Sequence, residues 1–103
     1  MRVVWNERAE LRLAQIMEYG ISTFGEKAAQ RLMKEIRKNE ARLTVCPYLG
    51  KKELVLEGLP ISYRSLVIHR NYKLIYYIED ETVYIATLFD NRRNPAVMTD
   101  HLK

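Results

Sequence analysis

Arg64, Lys73, Arg92 and Arg93 are the residues in this chain whose types and placement suit chemistry. Arg64 and Lys73 interrupt the apolar run SYRSLVIHRNYKLIYYI, and the arginine pair follows a second run, TVYIATLF. A strand that buries one face tolerates a cation only at its rim, beside a carboxylate, or toward an anionic partner. An anionic partner would make the stretch from Tyr63 to Pro95 a phosphate-handling surface.

Proton transfer would need a second kind of group, and the candidates are scattered. His69 falls in a hairpin loop, where a lone histidine is expected to be solvated, and His101 is almost terminal. Tyr77 shares a face with Lys73 and Tyr84 lies in the next strand, but strand tyrosines pack their rings and wet their hydroxyls. Asp90 stands where it could orient Arg92 or Arg93 through a bidentate pair. Cys46, the one cysteine, has no partner for a disulfide or for thiol catalysis and is expected as a half-buried apolar filler. One cysteine and two distant histidines offer no ligand spacing, so no metal and no cofactor is expected.

The cations must be held by a small scaffold. With 103 residues, 48% of them hydrophobic, the chain suits one domain, residues 1–103, around one core. Seventeen basic against 13 acidic residues give a net charge of +4 and a pI near 9.3, compatible with nucleic acid or an acidic protein. No apolar run is long enough for a bilayer span or a signal peptide, so a cytoplasmic location and no membrane partner are expected.

The hydrophobic period changes once along the chain. A short β-branched segment, Arg2 to Trp5, precedes Asn6, whose side-chain oxygen offers an N-cap, and Glu7. Leu13, Met17, Ile21 and Phe24 recur at helical spacing until Gly25. A second helix is expected from about Glu26 into the forties on Ala29, Leu32, Met33, Ile36 and Leu43, closed by Pro47. CPYLGKKELVLEGLP reads as a connection with room for a short strand or turn. Three strands follow, about Tyr63 to Ile68, Tyr72 to Glu79 and Val83 to Phe89, joined by loops that demand antiparallel hairpins. The expected fold is α+β in the order β-α-α-β-β-β, a small antiparallel sheet with a two-helix hairpin on one face.

Register decides whether the cations converge. A three-residue loop with Asn71 in the left-handed region would set Arg64 beside Tyr76, whereas a two- or four-residue loop sets Arg64 and Lys73 on one face. The second arrangement is preferred, because it leaves Tyr72, Leu74, Tyr76 and Ile78 as an apolar set under the helices and sends both cations to the other side.

The element order, the phrase LEGLP before YRSL, the hairpin strand NYKLIYYI and the closing LFDNRRNP resemble the RelE/ParE toxin superfamily of type II toxin-antitoxin systems over essentially the whole chain. The resemblance implies a cytoplasmic toxin held inactive by a cognate antitoxin. RelE-like members cut mRNA in the ribosomal A site, and by position Arg64, Lys73 and Arg93 would be the catalytic cations, with Arg92 as a further phosphate contact. Ribosome-dependent mRNA cleavage is therefore the first expectation. Leu66, however, stands where such enzymes can carry a lysine, and Asn94 to Thr99 lacks their tyrosine or histidine. The alternatives are a ParE-like poison of DNA gyrase without chemistry of its own, or an inactive antitoxin-binding protein of the same fold. Trp5, Met17 and Tyr19 are the residues expected to contact the antitoxin.

Overall fold

The computed structural model describes residues 1–102. Strand β1 (Arg2–Trp5) leads into helix α1 (Glu7–Phe24), a glycine break and helix α2 (Glu26–Val45). Strands β2 (Lys51–Lys52), β3 (Arg64–His69), β4 (Tyr72–Glu79) and β5 (Thr82–Asp90) follow, with a 3-10 turn at Leu54–Leu56 and a longer 3-10 segment at Pro95–Leu102. Spatially the strands run β1-β5-β4-β3-β2. The expected α+β fold and element order hold, with two differences: the connection contributes the two-residue β2 as a fifth strand, and β1 joins β5 in parallel, so the sheet is mixed and not antiparallel throughout.

The helices form where the apolar period predicted. Asn6 occupies the N-cap of α1, but its side chain makes no capping bond; its carbonyl accepts from Glu10 N at 3.0 Å and its N–H donates to Ile85 O at 3.0 Å. The helix start is thereby fastened to β5. Gly25, at φ 90, ends α1 in a conformation that L side chains rarely adopt, and its N–H still reaches Ile21 O. The hairpin that results lays Ala9, Ile16, Ile36 and Leu43 on one face of the sheet, against Leu74, Tyr76, Val83, Ile85 and Leu88.

The second face is covered too. Leu56 from the 3-10 turn and Met98 from the 3-10 segment pack with Ile75 and Phe89 into a smaller core. Leu74, Ile75 and Tyr76 are consecutive and fully buried, so β4 is enclosed on both sides at its centre.

Two irregularities set the register. The β3–β4 loop has two residues, Arg70 and Asn71, with His69 opposite Tyr72, as the preferred arrangement required. Between Val67 and His69 a bulge shifts the pairing by one residue, so that Val67 faces Lys73, Leu66 faces Leu74 and Arg64 faces Tyr76. Arg64 and Lys73 therefore lie on opposite faces, and the expectation that they share one is corrected. The bulge carries Ile68 onto the helical side, where it is buried with Leu74 and Tyr76. A second shift, at Ala86, lies between the pairs Ile75–Thr87 and Tyr76–Ile85. The β4–β5 turn uses Asp80 and Glu81 at φ 49 and 60, the two left-handed residues that the right-handed twist of a two-residue hairpin favours.

Tyr76 fastens the connection after α2 to the sheet. Its buried hydroxyl donates to Pro47 O and accepts from Gly50 N, both at 2.8 Å. A Cβ on Gly50 would lie 2.5 Å from Ser65 O and 2.8 Å from the Tyr76 hydroxyl, so only glycine fits. Gly50→Ala should cost about 2 kcal/mol by forcing backbone to move, and Tyr76→Phe about as much by orphaning two enclosed backbone groups. Because both changes break the same contact, urea unfolding of the double variant should show a loss smaller than the sum.

Candidate functional site

Lys73 projects from the start of β4 onto the face that the 3-10 elements cover. Its Nζ is in a short ion pair with Glu53 Oε1 and lies 5.8 Å from the centre of the Phe89 ring. Glu53 caps the Leu54–Leu56 turn, its other oxygen accepting from Val55 N at 3.2 Å, and is only 8% exposed. Burial pushes its carboxyl pKa upward, but the bonds from Lys73, Val55 N and Ser65 and the Lys73 charge outweigh this and hold it below the ordinary 4.5. The carboxylate stays ionised, and the lysine charge is spent on it.

Arg64 opens β3 on the helical side. Its NH1 donates to Gly50 O at 2.7 Å and its guanidinium lies 4.8 Å from the centre of the Tyr48 ring. Arg92 is bound to Asp90 by two parallel bonds, Nε to Oδ1 at 2.9 Å and NH2 to Oδ2 at 2.8 Å, while its backbone N–H also donates to Oδ1. That pairing lowers the Asp90 pKa and raises that of Arg92. Of the two arginines that Asp90 could orient, it takes Arg92.

Arg93 is exposed, with NH1 3.4 Å from His101 Nε2. His101 packs edge-on against Phe89 at 5.8 Å, so Lys73 and Arg93 approach the same aromatic ring by different routes. Burial, followed by the charges of Arg12, Arg93 and Arg8, lowers the His101 pKa despite Asp100. The four cations thus divide: Lys73 and Arg93 lie around Phe89, Arg64 lies on the opposite face, and Arg92 turns toward Tyr72, 5.9 Å from its ring centre.

Other candidates are placed as follows. His69 is half-buried, not solvated as expected: Nδ1 accepts from Asn71 N at 3.1 Å and the ring leans on Tyr72. Tyr77 stacks on Tyr84 at 5.2 Å, with Tyr63 edge-on at 5.7 Å. Burial raises the pKa of Tyr63, Tyr72 and Tyr76, so these phenols stay neutral. Cys46 is exposed at the end of α2, a correction to the expected half-buried filler: it follows the last helical turn, beyond Leu43, the last α2 residue buried in the core. Among the described residues no group of three His, Cys, Asp or Glu side chains gathers that could hold a metal, and no helix is long and apolar enough to cross a membrane.

The expected partner contacts differ in availability. Trp5 is half-buried, with Nε1 bonded to Glu40 Oε2, and Met17 packs against the main core. Tyr19 is half exposed and meets the still more exposed Phe24 edge-on at 6.1 Å. A groove of about 220 Å³ runs beside them, bounded by Ala28, Leu32 and His69.

Two site residues escaped the sequence reading. Glu53 carried a local signal, a carboxylate just before the apolar trio of a short turn, but its pairing with Lys73 depends on how the connection folds back. Arg12 carried another: Arg8 and Arg12 are like charges at i,i+4 on α1, a repulsive spacing that asks for a reason.

A two-helix hairpin over a five-stranded mixed sheet is the architecture expected of the superfamily that the sequence resembles. The family described as "ParE toxin of type II toxin-antitoxin system, parDE" matches residues 3–95, and the chain belongs to it. Among solved structures it is similar to one titled "Chromosomal ParDE TA system from P. aeruginosa", with a TM-score of 0.71 at 16% identity over 87% of this chain and 95% of that one. The second likeness concerns the fold. No curated protein sequence matches.

Lys73→Met or Glu53→Gln alone should destabilise the protein by about 2 kcal/mol, since each leaves the other partner enclosed and uncompensated. The double variant should recover most of this loss in urea unfolding. The sign with pH follows from the lowered Glu53 pKa: its stabilisation is full above 4.5 and disappears as pH falls through the folded value. The double variant should therefore lose less stability than wild type on acidification; equal loss would exclude Glu53 as a contributor.

Proposed function

We propose that this chain is the toxin of a type II toxin-antitoxin pair, neutralised by a cognate antitoxin, and that it arrests growth by poisoning DNA gyrase without cleaving RNA. The observation that carries this reading is the ion pair between Lys73 and Glu53. A lysine that stabilises charge building on a phosphate must have that charge to give. Here the ammonium is committed to a carboxylate that remains ionised, and Arg64, the second cation such cleavage would use, is tied to Gly50 O on the opposite face. Membership in the ParE family supports the same choice over the RelE-like mechanism that the sequence alone favoured. The chain's resemblance in fold to a ParDE toxin-antitoxin structure supports a protein antitoxin as the neutralising partner.

The test is induction of the chain without antitoxin, following labelled thymidine and methionine incorporation in the first minutes. DNA synthesis should fall first, with filamentation, while mRNA stays intact. The Lys73→Met/Glu53→Gln double variant should arrest growth as wild type does. Early collapse of protein synthesis with cleaved mRNA, abolished in that variant, would establish the ribosome-dependent nuclease instead.

A further inference from the structure

A cleft of about 290 Å³ opens between α1 and the sheet, lined by Arg12, Gln15, Tyr19, Tyr72, Asp90 and Arg92. It holds two guanidinium groups and one carboxylate, and both carboxylate oxygens already accept from Arg92. The Nε of Arg12 is shut away from solvent without an acceptor among the described residues, while the Arg12 charge acts on the Asp90 carboxylate in the same cleft. An enclosed donor of this kind is unfavourable until something accepts from it. Arg8 stands one turn earlier on the same helix, and Arg93 lies across the chain beside His101.

We propose that this cleft is a phosphate-binding site with Arg12 as its principal ligand, supported by Gln15, Tyr19 and the N–H groups that Arg92 has left over. The donor set is what selects phosphate. A guanidinium has five N–H groups, and Arg92 spends two of them on Asp90, while the Nε of Arg12 has no acceptor among the described residues. Amide, phenol and guanidinium donors approach from several sides, which suits a tetrahedral dianion; a planar carboxylate would be satisfied by Arg12 alone. The volume exceeds that of a phosphate group and leaves room for whatever carries it, either a free nucleotide or a nucleic-acid backbone. The site lies on the Tyr72 side of the sheet, away from Lys73, and stands independently of the toxin's target.

His101 supplies a reporter. The groups acting on it are Arg12, Arg93, Asp100 and Arg8, and three of these are cations. An anion bound beside Arg12 should raise its pKa toward the ordinary value.

The isolated full chain would be titrated with inorganic phosphate, a nucleoside monophosphate and a short duplex DNA, with chloride at matched ionic strength as the reference. Thermal unfolding and the His101 ring protons would be followed by calorimetry and NMR. Phosphate should raise both the unfolding temperature and the His101 pKa. Arg12→Gln should weaken phosphate binding about tenfold, the loss of one charge-assisted contact, and Arg12→Lys should weaken it less. Tighter binding of duplex than of monophosphate would identify a nucleic-acid backbone as the source, and the reverse a free nucleotide. The site is overturned if phosphate acts no differently from chloride, or if Arg12→Gln, shown to be folded by its unchanged circular dichroism, binds phosphate as tightly as wild type.

Discussion

The enclosure of β4 on both faces is the constraint from which the rest of this structure follows. Once Leu74, Ile75 and Tyr76 are buried in sequence, every polar group in the middle of the sheet must find its partner inside the protein. Lys73 finds Glu53, and the Tyr76 hydroxyl finds Pro47 and Gly50. Those partners all belong to the irregular connection after α2, which is consequently pinned at several points without regular structure of its own. The charge on Lys73 is thus part of the architecture, as is Glu53.

That internal compensation moves the chemically available cations to the periphery. Arg93 after β5 is exposed, and Arg12 on α1 has a buried Nε without an acceptor among the described residues, whereas the sheet itself offers little. Burial raises the pKa of Tyr63, Tyr72 and Tyr76, and burial with the Arg12 and Arg93 charges lowers that of His101.

Much of the fold was legible in the sequence because it rests on local signals. The extent of α1, the stop at Gly25, the close at Pro47 and the hairpin spacing all depend on neighbours in the chain, but the buried face of α1 runs through Ala9 and Ile16, and the expected Ile21 and Phe24 are exposed. The site was less legible because it depends on single-residue offsets and long-range returns. The two-residue β3–β4 loop favoured one register, yet the bulge at Ile68 reversed it: the extra residue places Leu66 and Ile68 together on the helical side at the expense of an unbroken ladder. No spacing rule brings Glu53 beneath Lys73. Likewise the parallel seat of β1 beside β5 carries no turn signal, as its two strands come from opposite ends of the sequence.

That parallel pairing has a consequence for how the protein comes into being. Val3 leaves the ribosome well before its strand partner, Val83, which does not exist until α1, α2 and three more strands have been made. Contacts so distant in sequence form late, after the hairpins and helices that need only their neighbours. A chain halted before β5 has neither a seat for β1 nor the wider flank of β4. Such a fragment cannot complete the sheet, so an interrupted round of translation releases an unfinished peptide, and the assembled protein arises only from copies read through their final strand.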